Sequence, residues 1–131
     1  MTFRFVALAL AGLTLATPAV AQETSGEAKL ARMLEGRVAG DPQGCIRSFP
    51  VRDFTVIDGT ALVYESGTTL YVNYTRDPER LDSDDVLVVN QSGPNFCDTD
   101  VVTTQDRSGG FYTGNIFLTE FIPYKKVDEA D

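Results

Sequence analysis

The chain has 131 residues, with 11 Lys and Arg against 19 Asp and Glu, no histidine, no tryptophan and a net charge of −8. That charge repels phosphate backbones and anionic headgroups, which argues against nucleic acid and the membrane surface as partners. Without histidine there is no Ser-His-Asp or Cys-His pair, no imidazole metal ligand and no side chain whose ordinary pKa lies near neutrality.

Residues 1–21 read as an export signal. Arg4 supplies the positive start, Phe5 to Leu15 a short apolar core, and Ala19-Val20-Ala21 a small-x-small cleavage site. The apolar run is shorter than the roughly 20 residues that span a bilayer, and no second such run follows, so no membrane insertion is expected. Cleavage would leave residues 22–131, enough for one core, and one charge more negative for the loss of Arg4. Gln22 stands where a lipoprotein carries its cysteine, so the expectation is a released periplasmic or secreted protein.

Residues 22–40 carry the helical signal. Thr24-Ser25-Gly26-Glu27 fits a capping box, and Leu30, Met33, Leu34 and Val38 recur as an apolar stripe, predicting an N-terminal helix that ends before Gly40-Asp41-Pro42. So short a helix is marginal alone and must dock on the rest of the fold.

From Cys45 the period changes to two. Short runs at Cys45–Arg47, Phe54–Ile57, Ala61–Glu65 and Thr69–Tyr74 are separated by turn signals such as Asp58-Gly59 and Ser66-Gly67. An acidic connection from Arg76 to Asp85 precedes Val86–Asn90, whose continuous apolar run predicts a strand buried on both faces. Phe96-Cys97, Val101–Thr104 and a single segment from Phe111 to Phe121, in which Gly114 marks a bulge or a close backbone approach, complete seven or eight predicted strands. Residues 126–131 read as an acidic, frayed tail. The rhythm predicts a mainly β fold, a small antiparallel barrel or sandwich with one N-terminal helix.

Cys45 and Cys97 allow one connectivity, and an even count in an exported chain predicts a disulfide. They lack C-x-x-C spacing and cannot form a standard zinc site without other ligands. Asp82-Ser83-Asp84-Asp85 is the densest carboxylate cluster, but Val86 and Leu87 stand where a calcium loop needs oxygen ligands, so it reads as a solvated turn. Arg76 and Arg80, flanking the acidic connection, are expected in local ion pairs. Asn73-Tyr74-Thr75 and Asn90-Gln91-Ser92 match the glycosylation sequon by coincidence, and the five tyrosines fit cross-strand packing.

Several elements together carry a family resemblance: Gly36-Arg37-Val38-Ala39-Gly40 with Pro42, Cys45-Ile46-Arg47, Val56-Ile57-Asp58, Leu62-Val63-Tyr64, Gly67 with Thr69-Leu70-Tyr71-Val72-Asn73, Cys97, and Phe121-Ile122-Pro123-Tyr124. In these the chain resembles a group of small exported proteins of α-proteobacteria such as sphingomonads. The resemblance implies a shared fold and a periplasmic setting, and transfers no catalytic residue. No catalytic, cofactor-binding or metal-ligating residue is assigned, and no cofactor is expected. The sequence favours a non-enzymatic binding or envelope-associated module with a protein or small-molecule partner. The alternative is a hydrolase without histidine, resting on Asp82, Asp84, Asp98 and Asp100.

Overall fold

The computed structural model describes residues 12, 16–18, 24–47, 54–91 and 93–129. Most of the expected leader, its cleavage site, Gln22, Pro50, Ser92 and residues 130–131 lie outside these. Among the described residues no helix is long and apolar enough to cross a membrane.

The first element is helix α1, Ser25–Met33. Its capping box forms as expected: the Thr24 hydroxyl accepts from the Glu27 N–H at 3.2 Å, and the Glu27 carboxylate accepts from the Thr24 N–H at 3.0 Å. The helix is shorter than its apolar stripe suggests. Gly36 adopts φ +71°, a left-handed turn that glycine makes without steric cost, and the chain leaves as a strand. Val38, read as the last helical contact, therefore lies in β1, Arg37–Ala39.

Ten strands follow among the described residues: β1, β2 (Cys45–Arg47), β3 (Phe54–Ile57), β4 (Ala61–Ser66), β5 (Thr69–Asn73), β6 (Asp85–Asn90), β7 (Asn95–Cys97), β8 (Val101–Asp106), β9 (Tyr112–Ile116) and β10 (Ile122–Lys126). They form three antiparallel sheets, ordered β1-β10-β5-β4-β3, β2-β7 and β6-β8-β9. None of them closes on itself among the described residues, and the mainly β architecture with one N-terminal helix is sandwich-like. The residues read as a frayed tail are partly ordered: Lys126 belongs to β10, and Val127–Glu129 make a 3-10 turn tied back by Val127 N–H to the Gly36 carbonyl.

Alternation along β4 divides the core. Ala61 and Val63 join Ile57, Leu70 and Val72 on one face, against Leu30, Met33 and Leu34 of the helix region. Leu62 and Tyr64 face the opposite way, into a cluster with Ile46, Phe96, Val102, Ile116, Leu118 and Phe121 from the two smaller sheets and the loops beside them. The large sheet is thus a middle layer, with the helix on one side and the small sheets on the other. An aromatic run ties these layers: Phe54, Tyr64 and Tyr71 are register partners across β3, β4 and β5, and Phe54 meets Phe96, which meets Phe121, each at 5.4 Å.

Strand β6 corrects a further expectation. Its apolar run is not buried on both faces: Leu87 and Val89 pack toward the core, whereas Val86 is 40% exposed. β6 is an edge strand of a small sheet, and on its outer face Val86 is exposed while Val88 is half-buried. Beside β9 the expected bulge does occur, but the extra residue is Thr113: Gly114 opposes Thr104 and Tyr112 opposes Gln105.

Helix docking gives a test with a sign. A Cβ on Gly26 would collide with Thr60 Oγ1 and lie 2.7 Å from the Asp58 carbonyl oxygen. Helix propensity alone favours Gly26→Ala by about 1 kcal/mol. The clash is with the β3–β4 turn, so we expect a net loss of about 1–3 kcal/mol. A denaturant melt in which Gly26→Ala gains stability would show that α1 does not press on that turn.

Candidate functional site

A cavity of about 680 Å³ opens at the end of the small sheet where β8 starts and β9 finishes. The last register pair there is Val102 with Ile116, both buried. Two segments leave this end and line the groove: the β7–β8 turn with Asp98, Thr99 and Asp100, and a strap from Phe117 to Glu120 that connects β9 to β10. Arg76 completes the lining.

Local hydrogen bonds fix the first segment. Asp100 Oδ2 accepts from the Cys97 N–H at 2.7 Å, the Asp100 N–H donates to the Cys97 carbonyl at 2.9 Å, and the Asp98 N–H donates to the Gly44 carbonyl at 2.8 Å. Cys97 is bonded to Cys45 as expected, and the two are direct register partners in the β2–β7 ribbon. The disulfide therefore secures one lip of the groove.

A buried asparagine fixes the strap. Asn73 is 1% exposed at the end of β5; its side-chain N–H donates to the Thr119 carbonyl at 2.6 Å. Its Oδ1 accepts from the N–H groups of Thr75 and Thr119, each at 3.0 Å, and from the Thr119 hydroxyl at 3.2 Å. Thr75 then takes φ +53°, a left-handed conformation unusual for a β-branched residue. This turn brings the Arg76 N–H onto the Phe117 carbonyl at 2.9 Å. Asn73 is thus a structural clamp, and its burial removes it as a glycosylation site in the folded protein.

The sequence does not announce the strap, because Phe111 to Phe121 reads as one strand. No glycine or proline marks the break, and its cause, Asn73, lies 46 residues away. Of the four candidate aspartates, Asp98 and Asp100 line the groove, and Asp82 and Asp84 do not. The latter pair sits in the turn before β6, where Asp82 Oδ1 accepts from the Asp84 N–H at 2.9 Å and the Asp58 carboxylate accepts from the Ser83 N–H and hydroxyl. Those Ser83 bonds hold the Asp58 carboxyl below the usual carboxylate range, the backbone bond contributing most. Hence the four aspartates do not converge on one catalytic pair.

Arg76 and Arg80 make no ion pair among the described residues; Arg80 lines a smaller cavity with Asp85 and Thr113. Elsewhere, Tyr74 stands beside the apolar groove along α1, and burial, then a hydrogen bond with Tyr124, pushes its hydroxyl up to about 12.

Among the described residues no group of three or more His, Cys, Asp or Glu is placed to hold a metal ion. For the turn at Asp82–Asp85 we expect millimolar calcium to leave the thermal midpoint unchanged. A ligand at 100 times its Kd stabilises by about 2.7 kcal/mol, so an upward shift of several degrees, lost in Asp84→Ala, would establish a site there. No protein family, curated protein or solved structure matches this chain.

Proposed function

We propose that this protein is a non-enzymatic binding module, acting in the periplasm or outside the cell after removal of residues 1–21, with the groove between the β7–β8 turn and the 117–120 strap as its binding site. The observation that supports this reading is the groove itself. It has the size of a small-ligand site, its floor is apolar at Ile116 and Leu118, and polar groups sit at its rim. Both lips are held by features that do not depend on a ligand, the Cys45–Cys97 bridge and the Asn73 clamp. A preformed site loses little entropy on binding. The disulfide fits an oxidising compartment.

Fragment screening by NMR on the mature protein tests the reading, using neutral aromatic and aliphatic fragments. Amide signals of residues 98–102 and 115–120 are expected to move together, and Phe117→Ser to abolish the response. A fragment set that leaves this end of the sheet unchanged would refute the site. Protein recovered from the periplasm is expected to have the intact mass of a chain beginning at Gln22; a mass that retains the leader would refute cleavage after Ala21, and absence of the protein from the periplasm and medium would refute export.

A further inference from the structure

Resting on that binding reading, we infer that the groove takes a basic, amphipathic peptide segment. Three carboxylates line it, Asp98 and Asp100 on the β7–β8 turn and Glu120 on the strap, against the single cation Arg76. No ion pair within the described residues neutralises them. Between these charges the surface is apolar and open. Val101 and Phe117, which flank the last β8–β9 register pair, are 56% and 51% exposed, large values for side chains of this kind.

An occupant that matches both properties carries cationic groups for the two lips and an apolar side chain for the space between. Phe117 strengthens the match, because an exposed aromatic ring attracts Lys and Arg through its face. A second copy of this chain fits poorly, since its net charge of −8 would be brought onto an acidic rim. A single organic cation satisfies one lip only. A peptide with alternating basic and apolar residues satisfies both.

The test titrates the mature protein with three capped peptides, Phe-Lys-Leu-Lys, Phe-Ser-Leu-Ser and Phe-Glu-Leu-Glu, followed by amide chemical shifts. The basic peptide is expected to shift residues 98–102 and 115–120 and to bind about tenfold tighter than the neutral one, the sum of a few exposed charge pairs. Its affinity should fall with added salt, as screening requires. Asp98→Asn with Glu120→Gln should bring it to the level of the neutral peptide. Asp100 is left intact because its carboxylate caps the turn. Equal binding of all three peptides in the groove would overturn the inference and leave the binding site standing. So would fragments that bind there while the basic peptide binds elsewhere or not at all. Failure of fragments and peptides alike would remove both.

Discussion

Replacing Asn73 by leucine is expected to destabilise the protein by about 3–5 kcal/mol, although the two side chains have similar volume. The substitution leaves the N–H groups of Thr75 and Thr119 and the Thr119 carbonyl without their partner. Each buried backbone group left unpaired costs about 1–3 kcal/mol. Thr119 is only half-buried and recovers some water, which keeps the total below the full sum. Against a typical domain stability of about 5–15 kcal/mol this is a large fraction. Urea melts of the variant and the parent measure it directly.

Two controls separate the clamp from general packing damage. Thr119→Val removes only the weakest bond to Asn73, at 3.2 Å, and should cost about 1 kcal/mol or less. Asn73→Asp keeps the acceptor but sets a carboxylate against the Thr119 carbonyl oxygen, which accepts a 2.6 Å bond in the parent. Burial raises the folded-state pKa of that new carboxyl above its unfolded value near 3.9, and its protonated form can donate to Thr119 again. The deficit of this variant should therefore shrink as pH falls through the raised pKa toward about 4, the reverse of an ordinary carboxylate. An Asn73→Leu variant that melts within 1 kcal/mol of the parent would mean that solvent replaces the clamp and that the strap is not fixed from β5.

What the sequence displays and what it hides divide along the distance between cause and effect. The capping box needs only Thr24 and Glu27, three residues apart, and forms as read. The turn at Asp58–Thr60 is likewise local. Val38 misleads because its spacing from Leu34 continues a helical stripe, whereas its actual neighbour is Lys125 of β10. Val86–Asn90 misleads for a related reason: an apolar run looks doubly buried, but the cover over a strand's faces is set by how layers pack, and here Val86 stays exposed and Val88 half-buried. The groove was half legible. Asp98 and Asp100 stand out as a polar turn beside a cysteine, while the strap opposite them exists because an asparagine in another strand captures Thr119. Nothing in residues 111–121 announces that.

Reduction of the disulfide, or the double substitution Cys45→Ala with Cys97→Ala, should lower stability by about 4 kcal/mol without changing the fold. A cross-link over 52 residues of sequence removes about that much conformational entropy from the unfolded chain. The core contacts beside the bridge are made by other side chains. Ile46 and Phe96, 2% and 0% exposed, remain in the core, and the ribbon keeps its register. Far-ultraviolet circular dichroism should therefore be unchanged while the urea midpoint falls. The ribbon itself is the vulnerable part, because two strands of three residues are marginal as an independent unit. Its opening would release the Asp98–Asp100 lip, so hydrogen exchange should accelerate first at Phe96, Cys97 and Asp98 in the reduced protein. Coincident melts of the oxidised and reduced forms would mean that the bridge adds nothing to stability. A uniform rise in exchange across all strands would mean that it supports the whole sandwich rather than the groove.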